Sequence, residues 1–306
     1  MSANTPAARP SAQASAPSPA PMRLGTRAHP LVSAALALWL FGGFSLRGAP
    51  AFELFAFDNG VGRGTWPAAR QAETLREIGY AGISYNYTTV ADLKLWLAEL
   101  GARKLKLHAL YLGASLHGAE PFPAGFAEAV ALLRGTGAVV WLTLPAAPKT
   151  DRAADAAAAL ARVREAADLA ERSQVRVVLY PHKGFHVATA EQAFALAVES
   201  GRADVGVTVN LAHELAAGHG PRLPAILRAV APRLALVSLN GASDRPGPGW
   251  ENYIRLLGDG DYDVPGLLRT LTAVGYRGPV GIQFYNVKGD PLDNLRATMR
   301  VWRALP

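Results

Sequence analysis

Two short apolar runs near the middle of the chain each end in polar residues. Val177, Val178 and Leu179 lead into Tyr180, Pro181 and His182, and Val207 and Val209 lead into Asn210 and His213, with one helical segment between the two runs. Apolar strands separated by a helix belong to a parallel sheet covered on both faces. The polar residues that follow them then lie at strand carboxyl ends, where α/β folds build their sites.

The same alternation continues from Phe52 to the end of the chain. Strand patterns fall at 53–60, 82–86, 104–113, 139–145, 234–241 and 279–287 in addition to the two above. A helix is expected to open at Thr65, Trp66 and Pro67, because Thr caps well and Pro suits a first turn. Further helices are expected at 90–100 and 152–172; in the second, Leu160, Val163, Ala167 and Ala170 form one stripe. A last helix places Leu292, Leu295, Met299 and Trp302 on one face. Eight strand–helix units at this length predict a single α/β domain over 52–306, a (β/α)8 TIM barrel, with a doubly wound open sheet as the alternative. The longest irregular stretch, 244–263, follows the seventh strand, and ordered loops of that length are often functional.

The amino-terminal part differs. Residues 2–21 are almost wholly Ala, Pro, Ser, Gln, Thr and Asn and are expected to be disordered. Residues 22–51 place Arg23 and Arg27 before an apolar run from Leu31 to Phe44, with Ala49 and Ala51 as a plausible cleavage pair. That order reads as an export signal, which puts the mature protein in the periplasm or outside the cell. The run is short for a spanning helix, so no stable membrane insertion is expected after cleavage. Removing residues before 52 takes away four arginines and no carboxylate, lowering the net charge from +7 by four to +3. A charge that mild gives no reason to expect nucleic acid as a partner. The chain has no cysteine, which excludes disulfides, thiolate catalysis and Cys-ligated metal centres.

The stretches VVLYPH, VTVNLAHELAAG, LGDGDYDV and GYRGPVGIQFY, in this order of elements, resemble the sugar phosphate isomerase/epimerase family, the xylose isomerase-like TIM barrels. The resemblance implies a divalent metal held by Glu, Asp, His and Glu on strands 5 to 8. Carried onto this chain, those positions fall on Tyr180, Asn210, Ser238 and Gln283, none of which keeps the family's residue type. Neutral Asn and Gln in place of carboxylates remove most of the charge that retains a cation. The expectation is therefore a site of preserved shape that has lost its metal and binds a carbohydrate through neutral groups. His213 matches the His three residues after the strand 6 Asp, a position that lies near substrate in relatives.

His182, His213 and Asp58 are the candidate catalytic residues. The two histidines follow neighbouring strands and suit a proton-transfer pair; with Asp58 they also suit a metal set of two His and one carboxylate, should a divalent ion bind. The structural alternatives are histidines that fix a loop, and an Asp58-Asn59-Gly60 turn. Tyr180, Asn210, Asn240, Gln283, Tyr285, His108 and Lys183 are candidates for binding substrate, while Tyr111 and Lys288 are weaker ones. Gly60, Gly62 and Gly64 around Arg63 fit either an anion-binding nest or a tight loop. The sequence lacks GxSxG, P-loop and HExxH motifs. Two functions fit: an exported isomerase or epimerase acting on a carbohydrate or other hydroxy-carbonyl compound, and a non-catalytic sugar-binding descendant of such an enzyme.

Overall fold

The computed structural model describes residues 52–146, 152–243, 245 and 247–305. The expected disordered segment and export signal lie outside the described residues. Eight strands close into one barrel in sequence order, every neighbouring pair parallel. They are β1 Leu54–Phe57, β2 Gly82–Asn86, β3 Lys106–Gly113, β4 Val139–Thr143, β5 Val177–Leu179, β6 Gly206–Asn210, β7 Leu234–Leu239 and β8 Val280–Ile282. The open-sheet alternative is therefore set aside.

Helices α1 Ala68–Ile78, α2 Val90–Ala102, α3 Phe126–Leu132, α4 Arg152–Glu171 and α5 Ala190–Glu199 follow the first five strands. Two short helices, α6 Leu211–Ala216 and α7 Leu223–Val230, separate β6 from β7, and α8 Val264–Ala273 and α9 Pro291–Ala304 follow β7 and β8. No described helix is long and apolar enough to cross a membrane. The start of α1 differs from expectation. Pro67 is its cap residue, and the Thr65 hydroxyl donates to the Gly62 carbonyl at 3.0 Å, so it is spent inside the preceding turn.

Burial explains why the apolar runs are continuous. One side of each strand packs on the helix layer, where Val163, Ala167 and Ala170 of α4 are fully buried, and the other side fills the barrel. Phe55, Phe57, Ala109, Trp141, Val178, Tyr180 and Leu236 form that inner core. Phe57 and Trp141 meet edge to face at 5.2 Å, Trp141 and Tyr180 at 4.8 Å. The one polar atom of Trp141 donates to the Thr208 hydroxyl, so this aromatic plug leaves no indole N–H unpaired.

Gly281 of β8 is the position where the plug dictates sequence. A Cβ there would lie 2.6 Å from Phe55 Cζ and 2.7 Å from Phe57 Cε1. Gly281→Ala is expected to lower stability by about 1–3 kcal/mol through overpacking, read as a lower urea midpoint with an unchanged slope.

Candidate functional site

Period-two alternation carries the inner face of the barrel from the plug to its carboxyl-end mouth. Val178 is followed two residues later by Tyr180, and Thr208 by Asn210. A cavity of about 250 Å³ opens there, lined by residues that include Tyr111, Tyr180, His182, His213, Gln283 and Tyr285.

Its floor is a hydrogen-bond network of Asn210, Tyr180 and Gln283. Asn210 caps α6, its Oδ1 accepting the His213 backbone N–H at 3.3 Å. That orientation turns Nδ2 towards the barrel axis, where it donates to Gln283 Oε1 at 3.1 Å and to the Tyr180 hydroxyl. Tyr180 in turn donates to Gln283 Oε1 at 3.3 Å. Burial holds the Tyr180 phenol well above its ordinary pKa, so it stays protonated. Ser238 is buried beside this group on β7, in register with Asn210.

The two imidazoles form one wall, their ring centroids 4.2 Å apart. The Lys183 backbone N–H donates to His213 Nδ1 at 3.3 Å, which leaves the proton on Nε2. His182 is the opposite tautomer: Nδ1 donates to the Lys183 carbonyl at 2.9 Å, leaving a lone pair on Nε2. The backbone N–H and carbonyl of one residue, Lys183, thus set both rings. Burial lowers both histidine pKa values, His213 furthest, where the neighbouring His182 and Lys183 charges add to the effect. Both are neutral at neutral pH.

Four candidates sit elsewhere. Asp58 is buried at the end of β1 and does not line the cavity; it accepts the Asn86 backbone N–H at 3.0 Å and an Arg63 N–H at 3.2 Å. Burial, its largest influence, raises its pKa against those two partners. His108 lies below the mouth, stacked on Phe55 at 4.6 Å, where burial lowers its pKa to about 4. Lys183 turns its ammonium to the Ala216 carbonyl at the end of α6. Asn240 is pinned by donating to the Gly241 and Tyr253 carbonyls, at 2.7 and 2.6 Å. Strand position foretold a place near the mouth for each, but these tertiary partners direct the side chains away.

Sequence reading missed Ser84 and Asn86 at the end of β2, and it missed Trp250. The insertion after β7 is zipped to Gly241, which accepts from and donates to Arg255 across an antiparallel bridge. This brings Trp250 edge-on to His213 at 5.2 Å and to Tyr285 at 6.5 Å. The only signal was the length of the insertion.

A parallel (β/α)8 barrel with a polar site at its carboxyl mouth defines the class. Residues 72–305 match the xylose isomerase-like TIM barrel family, and the chain belongs to it. Over 152 residues it is 29% identical to a 3-dehydroshikimate dehydratase of Pseudomonas aeruginosa, covering 43% of this chain but only 23% of that protein. Its fold is similar to that of a 3-keto-D-glucoside 4-epimerase from E. coli (TM-score 0.69, 15% identity, 83% of this chain and 99% of that one). It is also similar to that of a D-allulose 3-epimerase from Methylomonas sp. (TM-score 0.64, 16% identity, 83% and 97%).

The divalent metal implied by the resemblance does not fit the donors at Tyr180, Asn210, Ser238 and Gln283. All four are neutral, and the carbonyl oxygens of Asn210 and Gln283 already accept protein protons. Asp58, His182 and His213 do not meet either: no group of three or more His, Asp or Glu among the described residues is placed to hold an ion. The purified protein is expected to carry no stoichiometric divalent metal by elemental analysis. The double substitution Asn210→Asp with Gln283→Glu is expected to acquire binding of Mn²⁺ or Zn²⁺ detectable by titration, because it restores two anionic oxygens.

Proposed function

We propose that this barrel is an isomerase- or epimerase-like enzyme that moves a proton beside the carbonyl of a small polyhydroxy compound. The observation that carries the reading is the contact of two neutral imidazoles with opposite tautomers at the cavity wall. His182 Nε2 has the lone pair a base needs, and His213 Nε2–H is a donor for the oxygen on which charge develops. Relatives by fold include proteins named as epimerases, one acting on a 3-keto sugar. Inverting a centre beside a ketone proceeds by removing and returning a proton.

The second reading is a sugar-binding protein without turnover. A neutral floor and the aromatic rings of Trp250 and Tyr285 support it, since these serve binding without any proton transfer. Deuterium incorporation from D2O, followed by NMR over a panel of ketoses and keto-sugars, separates the two. The expected result is exchange at one carbon, slowed about 10²–10⁴-fold by His182→Gln. Ligand binding without exchange would favour the binding protein. Because the His182 pKa is lowered, its base form persists through neutral pH. The exchange rate should be flat there and fall only on acidification to below the ordinary imidazole range.

The proposal includes export, supported by the basic, apolar and small-residue order of 22–51. Amino-terminal sequencing of protein expressed in a bacterial host is expected to begin close to residue 52.

A further inference from the structure

The cavity has a charge pattern that proton transfer does not use. Thirteen residues line it, and among them Arg63 alone carries a fixed charge, with no Asp or Glu. The lining polar groups otherwise consist of neutral amides, hydroxyls, phenols and the two neutral imidazoles. An uncharged sugar has no need of a guanidinium at this place.

Arg63 is built into its position. It stands between Gly62 and Gly64, both left-handed with φ of +71° and +77°, and a Cβ on Gly62 would lie 2.5 Å from the Trp66 ring. Asp58 holds one Arg63 nitrogen from behind while its other oxygen is tied to the Asn86 backbone N–H. A guanidinium has five N–H donors, and Asp58 is the only partner of this one among the described residues. The remaining donors belong to a side chain that lines the cavity and is 45% exposed. Asp58 therefore acts as an anchor behind Arg63.

The position in the barrel gives the geometry a direction. Arg63 follows β1, His182 follows β5, and these strands are four places apart in a closed ring of eight. The cation and the imidazole pair face each other across the mouth. A planar carboxylate matches the fork of a guanidinium and carries one charge. A phosphate dianion would leave its second charge unmatched, since no second cation lines the cavity.

We infer that the site selects a substrate bearing a carboxylate, a sugar acid or hydroxy-keto acid, whose carboxylate pairs with Arg63 while its other end lies at His182 and His213. Placement of the reacting end rests on the proposed proton transfer; selectivity for the acid does not.

The test is calorimetric titration of the full chain with matched pairs that differ in the acid: D-glucuronate and D-glucose, D-galacturonate and D-galactose, D-gluconate and D-glucitol, 5-keto-D-gluconate and D-fructose, with D-glucose 6-phosphate added. At least one acid is expected to bind about ten- to a hundredfold more tightly than its neutral partner. Arg63→Gln should erase that preference, and Arg63→Lys should keep part of it. No preference for any acid, or a preference that survives Arg63→Gln, overturns the inference. Tighter binding of the phosphate than of every carboxylate overturns the carboxylate assignment. His182→Gln is expected to leave the acid preference intact. An acid preference without deuterium exchange would thus refute proton transfer and keep this inference, whereas exchange on neutral sugars with no acid preference would do the reverse.

Discussion

Filling the barrel is the constraint on which the rest of the structure depends. Closing eight parallel strands leaves an interior that must be packed, and Phe55, Phe57, Trp141 and Tyr180 fill it with rings rather than with layers of small aliphatic residues. The plug fixes the depth of the cavity above it. It also requires Gly281 on β8, because the two Phe rings occupy the space of a side chain. Tyr180 belongs to both regions: its ring closes the plug while its hydroxyl opens the polar network of the floor.

Above that plug the site is low in charge. Asn210 joins three elements through one amide, capping α6, holding the Tyr180 hydroxyl after β5 and meeting Gln283 after β8. An aspartate could not donate both bonds, so the neutral residue is a structural requirement of this floor. The two backbone polar groups of Lys183 perform the equivalent task for the wall, giving the two imidazoles complementary tautomers. Burial keeps both rings neutral, which suits a base and a donor in adjacent positions. Against this background the Arg63 guanidinium is the one fixed cation of the lining, with Asp58 taking one of its nitrogens from behind and the other donors left towards the cavity.

The fold was legible because both faces of a parallel barrel strand are buried and read as continuous apolar runs, as at Val177–Leu179. Helical stripes such as Val163, Ala167 and Ala170 were equally plain. Strand position also located the mouth, so Tyr180, His182, His213, Gln283 and Tyr285 were found as lining residues, with Asn210 buried beneath them in the floor network. The division between α6 and α7 was not visible, since a helix of six residues leaves too little periodicity to read.

Which way a side chain points at the mouth was decided by tertiary partners. Asp58, Lys183 and Asn240 all sit near strand ends, yet each is held by backbone groups from segments distant in the chain: Asn86 for Asp58, Ala216 for Lys183 and Tyr253 for Asn240. Trp250 reaches the site only because its loop pairs with Gly241. The sequence by itself determined the barrel, the end that carries the site and the neutrality of its floor, since these follow from hydrophobic period and residue type. The tertiary structure alone decided which polar side chains face the cavity, because that depends on hydrogen-bond partners that the linear chain does not place side by side.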